Sequence, residues 1–446
     1  MKNVRRENFT IDAALHEAEE RFAACHPASK KKIEYARQFL PGGNTRSVLF
    51  FKPFPFVVAR SEGCRIHDVD GNEYVDFLGE YTAGLFGHSD PIIKSAIISA
   101  VERGWVHGGH IEEEGILAEA LCKRFPSIDS VRFCNSGTEA NLMVLVTARC
   151  FTGRSKIMAF NGGYHGGVLL FKDGPAPQNA PFPVVLGSYN ETEASLAQIT
   201  ANADDLAAVI IEPMQGSGGC ISADREFLEA IRNACTKHGI LLIFDEVMTS
   251  RLAPGGLQET MNVRPDMTTL GKYIGGGSSF GAFGGRSDIM SLYDPFRADA
   301  LSHAGTFNNN PITMSAAVAA MTKVYTPDRV SAFNAAGDEM RNRLNEAAKE
   351  RSLNVQFTGR GSMMNIHFSG APIRNARDAD AGNSVAKALF HIEMMEKGQY
   401  FARRGMINLS LPMTGAERDG FFSAASSFFD QYSKLLTELP QSGARS

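Results

Sequence analysis

The chain has 446 residues, enough for more than one hydrophobic core, because single cores stop growing well below that length. Its 45 Lys and Arg are interspersed with 49 Asp and Glu and leave a formal charge of −4, which points away from nucleic acid and from a strongly basic partner. The seven cysteines, at 25, 64, 122, 134, 150, 220 and 235, lack Cys-x-x-Cys spacing and predict free thiols in a reduced, cytoplasmic setting; residues 1–8 carry no signal-peptide core, and no apolar run approaches a membrane span.

Residues 11–40 place Ala14, Ala18 and Phe22 at helical spacing among charges, which predicts an N-terminal helical arm ended by Pro41-Gly42-Gly43. The extended stretch that follows, 44–56, sets Arg46 among aromatics. Asp70-Gly71 suits the positive φ of a tight turn and predicts a hairpin, while Asp90 and Pro91 open a helix. His107 and His110 have a metal-like separation, but the two glycines between them disfavour a helical ligand pair, and no metal site is expected. Strand 131–134 runs into Asn135-Ser136-Gly137-Thr138-Glu139 at the head of a long helix. Free amides and the helix dipole make an anion site there, and the same pattern also reads as an ordinary capping box.

Strand 155–160 ends in a glycine-rich loop with Tyr164, an aromatic able to stack on a planar ring, and His165, read as hydrogen-bonded structure. Buried strand 206–211 ends in Glu212, a capping or orienting group. Strand 241–245 ends in Asp245-Glu246, and in open α/β sheets ligands sit outside the carboxyl ends of strands. Lys272 stands where the next strand gives way to Gly275-Gly276-Gly277. So apolar a setting desolvates a lysine, lowers its pKa and frees the neutral amine as a Schiff-base nucleophile. A phosphate loop of the Gly-x-x-x-x-Gly-Lys-Ser/Thr kind is not met, since Asp266 holds the first glycine's place and Tyr273 follows the lysine. A carboxylate to keep a pyridine nitrogen protonated and an amine to hold an aldehyde are what pyridoxal 5'-phosphate requires. Beyond lie strand 281–285, a polar loop 303–311, a charged helix 339–350, strands 362–368 and 406–410, an amphipathic last helix and a frayed end at 441–446.

From Pro41-Gly-Gly-Asn-Thr-Arg-Ser-Val-Leu-Phe to Leu409-Ser-Leu-Pro412 the chain resembles the fold-type I, class III aminotransferases, most closely those acting on aromatic β-amino acids such as β-phenylalanine, with the glutamate-1-semialdehyde aminomutases as kin. The resemblance implies an α/β fold: a large domain, residues 86–325, with a mostly parallel seven-stranded sheet flanked by helices, and a smaller α+β domain drawn from both termini, residues 1–85 and 326–446. It implies a homodimer with shared sites, in which Thr306 reaches the phosphate of the neighbouring subunit's cofactor. Ser136, Gly137 and Thr138 would hold the phosphate, Tyr164 would stack on the ring, and Glu212 and Asp245 would stand beside it. Lys272 would carry the aldehyde and shuttle the proton. Arg46 would bind the substrate's carboxylate, and Arg404, or its neighbour Arg403, that of a 2-oxo-acid acceptor, 2-oxoglutarate or pyruvate. Ornithine-type relatives carry a glutamate at the place of Ser217, and its absence argues against an ω-diamine substrate; Met248 stands where many relatives have glutamine. An aminomutase-type isomerase and an ω-amine transaminase are the competing enzymes. A ligand-sensing regulator on the same fold is disfavoured, because the N-terminal arm is too short and insufficiently basic for a DNA-binding module.

Overall fold

The computed structural model describes residues 10–439; the charged start and the frayed end expected at 441–446 lie outside them. Seven strands form the main sheet: Ser130–Cys134 (β1), Lys156–Phe160 (β2), Val184–Gly187 (β3), Leu206–Ile211 (β4), Leu241–Asp245 (β5), Met267–Gly271 (β6) and Gly281–Gly285 (β7). Their spatial order is β1-β7-β6-β5-β4-β2-β3. Strand β7 runs antiparallel to both neighbours, and the other adjacent pairs are parallel.

Parallel strands are covered on both faces, which is why β4, β5 and β6 read as unbroken apolar or small-residue runs and are buried at every position. Alternate side chains serve opposite layers. Ile210 and Ile243 pack with Val144 and Ala148 of helix Gly137–Thr152, whereas Val209, Leu242 and Phe244 pack with Phe227 and Ile231 of helix Arg225–His238. This sandwich sets the carboxyl ends of the parallel strands along one rim.

The two ends of the chain share a second core, in which Ala14 and Phe22 meet Phe390, Phe401 and Phe428. They also share a sheet: Val58–Glu62, Arg65–Asp68 and Glu73–Asp76 form an antiparallel ribbon, and Gln399–Tyr400 pairs parallel to its last strand. A third sheet joins Gln356–Arg360, Met363–His367 and Met406–Asn408.

Several elements differ from expectation. The arm is two helices, Ile11–Cys25 and Pro27–Ala36, because Pro27 has no N–H with which to continue the first. The Asp70-Gly71 turn does more than reverse the chain: the Asp70 carboxylate accepts from the Ala28 and Ser29 amides at 2.6 and 2.9 Å, satisfying first-turn donors of the second helix. The charged helix begins at Pro327, well ahead of residue 339, and the last strand stops at Asn408. Among the described residues no helix is long and apolar enough to cross a membrane.

Candidate active site

The strand ends open onto a cavity of about 580 Å³. Asp245, at the end of β5, is almost fully buried, and its carboxylate is held from several sides. Oδ2 accepts from Asn141 Nδ2 and His165 Nδ1, both at 2.8 Å, and Oδ1 accepts from the Val247 amide at 3.0 Å. Asn141 is itself fixed, its Oδ1 accepting from the Thr269 hydroxyl at 2.8 Å. The neighbouring carboxylate points elsewhere. Glu246 is wholly buried and accepts from the Thr249 hydroxyl, the amides of Leu257 and Gln258, and the Gln258 side chain, so it clamps a loop and takes no place in the cavity.

Lys272 follows β6 with φ of +54°, a left-handed conformation that costs a non-glycine residue about 1 kcal/mol or more. The strain is held in place by Tyr273 and Ile274, both fully buried. The Lys272 amine is lowered to about 8, chiefly by burial and next by the Arg404 guanidinium, against Asp245, which raises it. An amine so placed has a much larger neutral fraction near physiological pH than an ordinary lysine, and the neutral form is the one that attacks an aldehyde.

The head of helix Gly137–Thr152 is capped by a side chain and still leaves first-turn amides without an intrahelical acceptor. The Ser136 hydroxyl caps the Glu139 amide at 3.2 Å, and the Glu139 carboxylate takes the Asn135 amide at 2.5 Å. The Gly137 and Thr138 amides belong to the first turn, where no intrahelical acceptor exists, and the turn lines the cavity. Strand β7 presses this turn into place: a Cβ on Gly281 would collide with the Ser136 carbonyl. Glu212 ties two loops together, accepting from the Tyr164 amide at 2.9 Å and the Gly216 amide at 3.0 Å. Its burial raises the carboxyl pKa, and the nearby His165 opposes the rise. Tyr164 itself is partly exposed to the cavity. This donor set fits the cofactor inferred from the sequence: free helix amides for a phosphate, a fixed carboxylate for a ring nitrogen, and a desolvated amine for an aldehyde.

Both arginines proposed for carboxylates line the same cavity. Arg46 forms an ion pair with Glu80. Arg404 donates to the Ser217 hydroxyl at 2.9 Å and lies 4.8 Å above the Tyr81 ring, whereas Arg403 lies outside the cavity, close enough to Glu19 to feel its charge. Met248 closes a wall, its sulfur over Gly216, where a Cβ would come within 2.5 Å. Thr306 stands on an exposed loop and does not line its own chain's cavity; the loop is tied to the Ser136 turn through Asn135 Nδ2, which donates to Asn308 Oδ1 at 3.0 Å. Sequence reasoning missed Glu80, Tyr81 and Asn141; His165 is hydrogen-bonded structure as expected, with Asp245 as the partner the sequence did not name. A polar Asn141 among Ala140, Leu142 and Met143 was the available signal.

Residues 51–171 and 175–410 match the family model of the class-III aminotransferases. The chain is a class-III aminotransferase. This aminotransferase is 48% identical to the β-phenylalanine transaminase of Variovorax paradoxus over 96% of its own length and 98% of the relative's. The crystal structure of a β-phenylalanine aminotransferase from that organism superposes with a TM-score of 0.95 at 47% identity, covering 97% of this chain and all of the other. A glutamate-1-semialdehyde 2,1-aminomutase of Methanosarcina acetivorans is 39% identical over 83% of this chain and 91% of that one. An ω-transaminase structure from Sphaerobacter thermophilus, 35% identical, gives a TM-score of 0.85 over 97% of this chain and all of its own. As a member of the family, this aminotransferase has the fold-type I architecture and uses pyridoxal 5'-phosphate.

Proposed function

We propose that the enzyme moves the amino group of an aromatic β-amino acid, of the β-phenylalanine kind, to 2-oxoglutarate or pyruvate, acting as a cytoplasmic homodimer. The observation that carries this reading is the pairing of two arginines, Arg46 and Arg404, in the one cavity that holds Lys272 and Asp245. A β-amino acid carries its carboxylate one carbon farther from the reacting centre than an α-amino acid does, so donor and acceptor call for differently placed cations. Arg46 takes the donor's carboxylate, with the apolar 48–51 stretch beside it for the ring, and Arg404 takes the acceptor's. Ser217, small and uncharged, leaves Arg404 without a competing carboxylate.

Pyridoxal phosphate, when bound, supplies the aldehyde that carries the amino group and the ring that delocalises the electron pair. Asp245, oriented by Asn141 and His165, keeps the ring nitrogen protonated. Lys272 Nζ holds the aldehyde in the resting enzyme; its lowered basicity suits it to take up a proton and return it near neutral pH. We assign Ser136, Gly137 and Thr138 to the phosphate, Tyr164 to the ring face, Glu212 to the support of Tyr164, and Thr306 to the phosphate of the neighbouring subunit. Residues 86–325 are taken as the cofactor domain and 1–85 with 326–446 as the second, a division supported by the core that the two termini share.

The test is an assay of β-phenylalanine, α-phenylalanine and 1-phenylethylamine against 2-oxoglutarate and pyruvate. β-Phenylalanine is expected to give the highest kcat/KM, with the 2-oxo acid consumed mole for mole. A preference for either of the other amines overturns the substrate assignment. Turnover of an amino aldehyde without any acceptor favours the aminomutase-type reading.

A further inference from the structure

We propose that Glu80 is an exchangeable internal counter-ion of Arg46: its carboxylate holds the guanidinium until a substrate carboxylate displaces it, so that Glu80 sets the preference between amines that carry a carboxylate and amines that do not. The inference rests on the assignment of Arg46 to the donor's carboxylate and adds a gate to it.

The two arginines of the cavity are treated differently by one short turn. Gly79, Glu80, Tyr81 and Thr82 have φ values of 51°, 48°, 51° and 82°, four left-handed residues in succession of which three have side chains. Left-handed backbone disfavours each of those three by about 1 kcal/mol or more, and such outliers persist only where the surroundings over-determine them. Here they do. Asp76 Oδ1 accepts from the Leu78 and Gly79 amides at 2.9 and 3.0 Å, the Gly84 amide donates to the Gly79 carbonyl at 2.9 Å, and the buried Arg251 donates to the Thr82 carbonyl at 3.3 Å.

The turn sends consecutive side chains to the two cations. Tyr81 lies under Arg404, and its hydroxyl donates to the Val48 carbonyl at 2.7 Å, bracing the segment that carries Arg46. Glu80 pairs with Arg46. Arg404 therefore meets a neutral ring and a hydroxyl and stands open to an incoming anion, whereas Arg46 is already occupied by a carboxylate. The side chains of Arg46 and Glu80 are 42% and 52% exposed, which keeps the pair weak enough to exchange. By contrast, Glu246 and Asp245 sit in buried multi-donor sites that no ligand carboxylate could replicate at that price. When the incoming amine has no carboxylate, Glu80 stays and spares the closed site an unpaired guanidinium.

The test uses the holoenzyme and 3-phenylpropanoate, which has the ring and the carboxylate but no amine and so binds without turnover, with 3-phenylpropan-1-ol as its uncharged counterpart. Glu80→Gln is expected to bind 3-phenylpropanoate about two- to fivefold more tightly, the range set by an exposed ion pair. In the same variant, the ratio of kcat/KM for β-phenylalanine to that for 1-phenylethylamine is expected to rise by a similar factor. Glu80→Asn, whose side chain tolerates left-handed backbone, repeats the measurement if the first variant is unstable. Unchanged or weaker 3-phenylpropanoate binding in a folded variant, or equal movement of both kcat/KM values, overturns the gate. Wild-type enzyme that binds acid and alcohol alike, or an Arg46→Met variant that still favours the acid, overturns the assignment of Arg46 and the gate with it. A wild type that discriminates through Arg46 and is indifferent to Glu80 overturns the gate alone.

Discussion

Asp245 and Glu246 are adjacent carboxylates with opposite employment, and the difference lies in what each accepts from. Asp245 is held by side chains that leave it facing the cavity, so its charge is available to a ring nitrogen. Asp245→Asn is expected to retain cofactor but lose at least about a hundredfold in kcat, the lower bound for a positioned proton-holding group, because an amide cannot hold that nitrogen protonated. Cofactor absorbance and steady-state rates check both halves, and near-normal turnover would move the electron-sink role elsewhere. Lys272 gives a pH prediction with a definite sign. With its amine lowered to about 8, roughly a tenth is neutral at pH 7, about half at pH 8 and about nine tenths at pH 9. Apoenzyme mixed with pyridoxal phosphate is therefore expected to take it up faster as pH rises from 6 to about 9 and to level off above; a climb continuing past about pH 10 would show an ordinary lysine. Stopped-flow absorbance reads the difference.

At the scale of elements, the site depends on loops pinned by groups that never touch ligand. The Glu246 carboxylate gathers four donors from residues 249, 257 and 258, and β7 holds the Ser136 turn through glycine packing. Removing a buried acceptor leaves its donors without partners, at about 1–3 kcal/mol. Glu246→Ala is expected to lower stability by at least about that amount in urea unfolding of the apoenzyme, whereas Glu246→Gln, which keeps an acceptor oxygen, costs less. Equal losses in the two would mean that shape and not hydrogen bonding sets the value. Asp245, Lys272, Tyr164 and the Ser136 turn were legible in the sequence for a common reason. Each lies within a few residues of a strand's carboxyl end, where β2 and β5 show as short apolar runs and glycine or other small residues mark the exits of β1 and β6. The strand Gln356–Arg360 was not legible, since Gln-Phe-Thr-Gly-Arg neither alternates nor forms an apolar run.

For the whole molecule, Thr306 is exposed and lies outside its own chain's cavity, which is where the proposed contact with a neighbouring subunit would need it. If Thr306 serves the neighbouring subunit, Thr306→Ala weakens cofactor retention about fivefold or more, in keeping with a lost hydrogen bond to a charged group. Dilution of wild-type enzyme below its dimer dissociation constant should release cofactor in the same way. Sedimentation and bound-cofactor absorbance followed together check this, and a monomer with full cofactor occupancy would sink the cross-subunit role.

The sequence by itself determined the fold class, the cofactor chemistry and the order of the strand-end residues, because these depend on patterns a few residues long. Tertiary structure alone decided how the residues are partnered. Asn141 and His165 reach Asp245 across 104 and 80 residues, Arg404 reaches Ser217 across 187, and Glu80 meets Arg46 across 34. The choice between Arg403 and Arg404 was likewise tertiary, for consecutive side chains diverge and only the packed turn sets which one faces the cavity. Such contacts form when the sheet and the shared terminal core close the intervening chain, and no local propensity encodes which distant groups that closure will bring within 3 Å.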